Sequence, residues 1–332
     1  MLNPIVSVLI TVYNRKRFIV DAVKSALNQT APRDLYEIIV VKNYVDDDID
    51  EFLSSNNVIQ IYSTKENLVT FTLDGLKIAR GDFITFLEDD DKFLPIKIEQ
   101  VISRFRQRPN LLYLHNNFEE IDEFGEIRKR HILKQANKEI LIQTNNLKQR
   151  NNINLFKYSA FYNTSCISVR REQFMSLFIK FPDLMESPTD LNFYILSLLS
   201  GHEIMFSNAL LNQYRVHHDS RTFGSIEDVP ALKKRIDEDR QLYLKLASKY
   251  SLTFGFPLLM LQALELTIQE YVLNSENHKL GSRELLAYSY YSMKRGNRLF
   301  LALVIMRYFN IISHETFLGI NSKRKKIRLN RK

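Results

Sequence analysis

Asp82–Pro95 reads DFITFLEDDDKFLP. Phe83, Ile84, Phe86 and Leu87 form a short apolar run with only Thr85 inside it, the pattern of a buried strand. The run stops at four consecutive acids, Glu88, Asp89, Asp90 and Asp91. Pro95 then opens a helical pattern, at a position where its missing N–H costs nothing. Four carboxylates at the end of a buried strand repel one another. Water or a cation must screen them, and hard oxygen ligands of this kind suit Mg²⁺ or Mn²⁺. A solvated acidic turn is the plain alternative. The strand before it, and the chain before that, favour the cation.

Upstream, strand and helix patterns alternate. Val6–Val12 (VSVLITV), Glu37–Val41 (EIIVV) and Val58–Tyr62 (VIQIY) read as strands, and Phe83–Leu87 is the fourth. Phe18–Leu27 and Leu68–Ala79 carry apolar residues at helical spacing. Apolar strands alternating with helices predict an α/β fold, a mostly parallel sheet with helices on both faces. Ligands of such sheets bind beyond the carboxyl ends of the strands. Thr11-Val12-Tyr13-Asn14, Lys42-Asn43-Tyr44 and Glu88–Asp91 all follow or end strands. They are therefore expected along one edge.

The stretches VSVLITVYNR (Val6–Arg15), ALNQT (Ala26–Thr30), EIIVV, ENLVTFTLDGLKIARGDFITFLEDDDKFLP (Glu66–Pro95) and GHEIMFSNALLNQYRVHHDS (Gly201–Ser220) occur in this order. Together they resemble family 2 glycosyltransferases of the GT-A, Rossmann-like fold. The acidic stretch is the specific part. The resemblance implies an inverting, metal-dependent transferase of hexosyltransferase type that uses a nucleotide-diphosphate sugar. The implied donor-binding residues are Thr11, Tyr13, Asn14, Asn43, Glu88, Asp89, Asp90, Arg215 and His217. The family's Asp-x-Asp signature falls on Glu88-Asp89-Asp90, which puts Asp90 and Glu88 at Mg²⁺ or Mn²⁺. The general base is expected at the start of a helix late in the catalytic domain. Asp190 occupies that place, with Glu186 in reserve. An aspartate there also caps a helix without any catalytic role.

Three departures from the family pattern matter. Lys42-Asn43-Tyr44 stands where a pair of aspartates usually precedes a Gly-Ser turn, so the choice of base is open. Thr72–Leu73, where a basic residue often helps to hold the diphosphate, is uncharged, so another cation must substitute. Ser187-Pro188 replaces the usual Glu-Asp pair. The departures at Lys42-Asn43 and Ser187-Pro188 keep one alternative in view: a catalytically inactive nucleotide- or partner-binding protein on the same scaffold. A nucleotidyltransferase is less favoured, because the chain lacks a Gly-rich phosphate loop after the first strand.

Other residues read more simply. His217, His218 and Asp219 have poor spacing for a metal site. Asp46-Asp47-Asp48 is expected in a solvated loop leading into a helix. Cys166 reads as an inert buried thiol. One cysteine in 332 residues excludes a disulfide framework and fits a reducing compartment. The N-terminus shows strand-type residues at once and no signal peptide. The Asn-rich stretch around Asn137–Asn154 reads as a surface insertion or acceptor-side loop.

Three regions are expected: a catalytic domain over 1–225, a helical region over 226–322, and a disordered basic tail over 323–332. Helical periodicity covers Ala231–Tyr250, Pro257–Leu273, Ser282–Lys294 and Asn297–Ile312. Leu299–Met306 is eight apolar residues long, far below the roughly 20 that span a bilayer. It reads as a core helix or as an interfacial one. The tail KRKKIRLNRK holds seven of the charges behind a net +8, leaving 8 − 7 = +1 for the rest. A basic tail without a basic face argues against nucleic acid and suggests an anionic membrane. The expected partners are thus the donor, a sugar, lipid-linked or polysaccharide acceptor, and a membrane surface. The expected place is the cytoplasm, peripheral on the inner face of the cell membrane.

Overall fold

The computed structural model describes residues 3–64, 68–128, 138–146, 162–185, 190–217 and 229–249, with scattered helical positions beyond 262. Its centre is a mixed sheet. β1 (Val6–Val12), β2 (Tyr36–Lys42), β3 (Ile59–Tyr62) and β4 (Phe83–Glu88) run parallel in the order β3-β2-β1-β4. The sheet continues through β8 (Ile167–Arg170), which lies antiparallel to β4 and to β6 (Leu111–Ile121). β9 (Glu203–Arg215) pairs parallel with β6. β5 (Lys92–Phe93) and β7 (Ile140–Gln143) both pair antiparallel with β9. The expected sheet of parallel strands is thus its first half. The Asn-rich stretch read as a loop contributes a strand, because Ile140–Gln143 finds a ladder partner in Glu203–Phe206.

Alternation along each strand sends residues to opposite faces. Val6, Val8, Ile10 and Val12 meet α1 (Ile19–Leu27), α2 (Asp47–Ser55) and α4 (Lys97–Gln107) through Ile19, Ala22, Val23, Leu53, Ile98 and Val101. Leu9, Ile39 and Phe86 are in register on the other face. There α3 (Leu68–Ile78) packs on β1 and β2. Phe86 packs with Phe174 of α5 (Arg171–Lys180) and Phe193 of α6 (Asp190–Leu198). Two buried layers on one sheet explain why β1 and β2 are apolar almost throughout.

The amino ends of the strands are tied by a polar cluster. Glu37, buried, accepts from Ser7 Oγ at 2.6 Å, from the Arg80 amide at 2.6 Å and from the Arg80 guanidinium at 2.8 and 2.9 Å. The Gly81 amide donates to Ser7 Oγ at 2.9 Å.

The chain divides into two compact units. The first comprises Met1–Arg128, Gln135–Arg150 and Ser159–Arg215; the second comprises Lys129–Lys134, Asn151–Tyr158 and Val216–Lys332. The second unit contains α7 (Val229–Lys249). It also has an apolar cluster of Leu264, Ile268, Tyr271, Leu285, Tyr288, Leu301 and Val304. Val304 is fully buried, so the Leu299–Met306 run serves as core at that point. Among the described residues, no helix is long and apolar enough to cross a membrane. The basic tail lies outside the described residues.

Candidate active site

Parallel register carries the candidate residues to one edge. Thr11 is opposite Val41 on one side and Glu88 on the other, and Val12 is opposite Lys42. Beyond β1, Tyr13 lies beside Phe71, with ring centroids 5.8 Å apart. Asn14 takes a left-handed backbone, φ 54°, a conformation asparagine tolerates. Its amide donates to Asn43 Oδ1 at 3.0 Å, and Asn43 Nδ2 returns a bond to Asn14 Oδ1 at 2.7 Å. The two loops are therefore stapled together. Lys42 is buried and paired: its ammonium reaches Asp50 at 2.6 Å and the Tyr44 carbonyl at 2.8 Å. Asp46 caps α2 by accepting from the Ile49 amide, and Asp47 and Asp48, read with it as a loop, form the first turn of that helix, where acids favour the helix N-terminus.

The acidic turn is short and heavily braced. The Asp91 amide donates to the Glu88 carbonyl at 3.2 Å. Ser165 joins both ends of the turn: its Oγ accepts from the Glu88 amide at 3.0 Å and donates to Asp91 Oδ2 at 2.7 Å. Arg215 braces it from β9. Its amide donates to Asp91 Oδ1 at 2.9 Å and its Nε to the Asp90 carbonyl at 2.8 Å. The rest of that buried guanidinium is directed to the Glu123 carbonyl at 3.1 Å and to Asp21 at 3.3 Å. Arg215 therefore holds the turn's backbone.

Glu88, Asp90 and Asp91 each present one carboxylate oxygen, all within 4.8 Å of one another. Asp91 is the member that the Asp-x-Asp pattern leaves out. Burial, followed by repulsion from Asp90, Asp91 and Asp190, pushes the Glu88 carboxyl well up. Burial and Asp90 push Asp91 up as well. Three hard oxygen donors held close at the cost of their own repulsion fit Mg²⁺ or Mn²⁺.

Asp89 is not a member of this set and pairs with Arg15. The Arg15 guanidinium forks onto Asp89, with Nε–Oδ2 at 3.1 Å, and also donates to Asp90 Oδ2 at 2.7 Å. Burial works against a charged Arg15, and Asp89 and Asp90 outweigh it, so its pKa is raised. Burial pushes Asp89 in the opposite sense, towards the neutral acid. The forked contact decides between them: a bidentate guanidinium needs a carboxylate, so Asp89 is ionised.

Asp190 is the first residue of α6. Its carboxylate accepts from the Asn163 amide and from the Leu191 amide, both at 2.8 Å. Asn163, at φ 72°, accepts from the Ser165 amide at 2.9 Å. A continuous chain of bonds thus runs from Asp190 through Asn163 and Ser165 to Asp91 and Glu88. Asn163 and Ser165 carry little signal in the sequence beyond an Asn-Thr-Ser turn. Beneath them lies Lys97, fully buried. It donates to Asn116 Oδ1, to Asn212 Oδ1 at 3.2 Å and to the Ser165 carbonyl at 3.4 Å. His217 is buried just after β9. Cys166 is a buried free thiol that burial holds well above the usual range. Glu186, Ser187, Pro188, His218 and Asp219 lie outside the described residues.

This chain is 34% identical over 124 residues to an uncharacterized glycosyltransferase of Rickettsia bellii, covering 36% of this chain and 18% of that protein. It is 33% identical over 99 residues to the poly(ribitol-phosphate) beta-glucosyltransferase of Bacillus spizizenii, covering 26% and 15%. The chain spans about a fifth of the length of the Rickettsia bellii and Rickettsia felis relatives. Among solved structures, S. aureus TarS 1-349 superposes with a TM-score of 0.55 at 14% identity, over 91% of this chain and 86% of that one. TarS 1-349 in complex with UDP-GlcNAc gives 0.53 at 14% identity, over 92% and 91%. At this identity the likeness is one of fold, and the fold is that of GT-A glycosyltransferases. The family model described as "Glycosyl transferase family 2" matches residues 7–178, more than half of the chain and the whole stretch from β1 through the acidic turn into α5, and the chain belongs to that family.

Proposed function

We propose that this chain transfers a sugar from a uridine-diphosphate donor to an acceptor hydroxyl with inversion, and that it needs a divalent cation to do so. One observation carries the reading. The Glu88–Asp90–Asp91 set and the Asp190 carboxylate stand at the same edge, joined by the Asn163–Ser165 bridge. Transfer from a nucleotide diphosphate leaves a dianion. A divalent cation held by Glu88, Asp90 and Asp91 would supply the charge that stabilises it. Asp190 accepts the acceptor's proton, and Asn163 fixes the orientation of its carboxylate. A single displacement with the base opposite the leaving group inverts the anomeric centre. Thr11, Tyr13, Asn14 and Asn43 border the nucleoside end, and the Asn14–Asn43 pair sets the distance between the two loops there.

Uridine is favoured because TarS 1-349 was solved with UDP and with UDP-GlcNAc. The acceptor class is a lipid-linked or polysaccharide hydroxyl, and the basic tail would bring the protein to the inner face of the membrane. The decisive experiment is a panel of UDP-sugars with and without added Mn²⁺, read as UDP release. Cation-dependent release with one sugar is expected. Lys42, in an aspartate position and buried against Asp50, favours a second reading, a scaffold that binds a nucleotide without turning it over. UDP binding without release from any sugar would establish that reading instead.

A further inference from the structure

We propose that Arg15 is a built-in counter-cation. It neutralises the acidic turn while no divalent ion is bound, and it turns to the donor's diphosphate once the ion is in place. The proposal rests on the reading of the turn as a cation and diphosphate site.

Three observations carry it. First, Arg15 sits on a member of the candidate ligand set. Its Nη1 lies 2.7 Å from Asp90 Oδ2, an oxygen of a residue that would bind the ion. A guanidinium and a divalent ion on the same carboxylate repel each other, so an ion seated there weakens the hold of Asp90 on Arg15.

Second, Arg15 is placed to move. Its side chain is 31% exposed, while those of Asp89 and Asp90 are 5% and 9% exposed. It lies outside any strand or helix, on the loop after β1. Arg215, the other guanidinium at the turn among the described residues, is 1% exposed and is directed largely to backbone carbonyls. It has nowhere to go.

Third, the edge needs a cation for the diphosphate. The first two turns of α3, which start from this edge, contain no basic residue. Lys16 pairs with Asp46, Arg17 with Glu123 and Lys42 with Asp50. Arg15 is next to the point where a phosphate bound at Asp90 would lie. Its planar fork suits a phosphate as well as a carboxylate.

The exchange predicts changes of opposite sign, which a purely structural arginine would not give. Calorimetric titration of Mn²⁺ alone and of UDP in saturating Mn²⁺ is compared for the native chain and Arg15→Gln. Without nucleotide, Arg15→Gln is expected to bind Mn²⁺ about tenfold more tightly, because the competitor is gone. With Mn²⁺ present, it is expected to bind UDP about tenfold more weakly. Arg15→Lys keeps the charge and loses the fork, so it should shift both affinities in the same senses by less. It also serves if the glutamine variant does not fold. Weakening of both ligands, or no change in either, would overturn the proposal and leave Arg15 as a brace. If the native chain binds neither Mn²⁺ nor UDP, the donor-site reading itself fails and the proposal with it. Native binding of both with unaltered variants sinks the proposal alone.

Discussion

The tasks proposed for Asp90 and Asp190 can be separated by substitution. Asp90→Ala removes a central member of the oxygen set and should abolish cation-dependent UDP binding. The loss of leaving-group stabilisation should cost on the order of a thousandfold in turnover. Its fold should persist, because Arg215 braces the Asp90 carbonyl and not its side chain. A variant with near-native UDP release would remove Asp90 from the cation site. Asp190→Asn keeps an oxygen for the Asn163 amide but no longer takes a proton. Turnover should fall by a hundredfold or more while UDP affinity barely changes. If that variant stays active while Glu186→Gln is dead, the base is Glu186. At this scale the acidic run was plain in the sequence, since four adjacent acids after an apolar strand have few readings. The part of Ser165 was not. Its bonds to Glu88 and Asp91 cross 77 and 74 residues of sequence, and no local pattern records such a contact. The same holds for Arg15, whose bonds to the acids span 74 and 75 residues.

Elements meet at two glycines that are expected to behave differently. A Cβ on Gly81 would lie 2.5 Å from the Ser7 amide nitrogen and 2.6 Å from the Val6 carbonyl carbon, both backbone. A Cβ on Gly75 would lie 2.1 Å from Leu9 Cδ1, the end of a side chain. Backbone in a central strand cannot shift, whereas a leucine methyl group can. Gly81→Ala should therefore cost about 1–3 kcal/mol. Gly75→Ala should cost less, since a helical alanine returns up to about 1 kcal/mol. Urea unfolding of the two variants measures the difference, and equal losses would contradict the argument. Lys97 ties α4 to β6 and β9, and burial lowers its pKa to about 7. Between about pH 7 and the ordinary lysine range, the unfolded chain binds the proton that the folded chain has released. Stability contributed at this site therefore rises with pH across that window. The thermal midpoint of the native chain relative to Lys97→Met should climb from pH 7 to pH 10. A flat difference would mean that the three oxygens around Nζ keep it charged. β1, β2 and β4 were legible because two-sided burial leaves apolar runs, and α1 and α3 because their apolar residues recur at helical spacing. α2 was not, because its acidic start reads as a loop and only Ile49 and Leu53 of it are buried. β7 was not, because four residues in an Asn-rich stretch become a strand only through their partner in β9.

Charge is distributed unevenly over the whole molecule. Seven of the charges behind the net +8 lie in residues 323–332, and the remainder comes to +1. The eight-residue apolar run at Leu299–Met306 was the other sequence feature that suggested a membrane. Leu301 and Val304 spend it on the interior of the second unit, in a cluster with Leu264, Ile268 and Leu285. An approach to lipid would then rest on the tail and be electrostatic. Each lysine or arginine close to an anionic bilayer contributes roughly 1 kcal/mol, and the attraction fades within a Debye length of about 10 Å at 0.1 M salt. The chain with its tail should therefore sediment with phosphatidylserine-containing vesicles at low salt and leave them near 1 M salt, where the Debye length is about 3 Å. A chain ending at Ser322 should sediment clearly less, yet release UDP from its donor at the native rate, because the acidic turn and Asp190 belong to the first unit. Salt-resistant binding of the truncated chain would point to an apolar surface in the second unit. If neither form sediments at low salt, the tail is not a membrane device, and a soluble polysaccharide becomes the better acceptor.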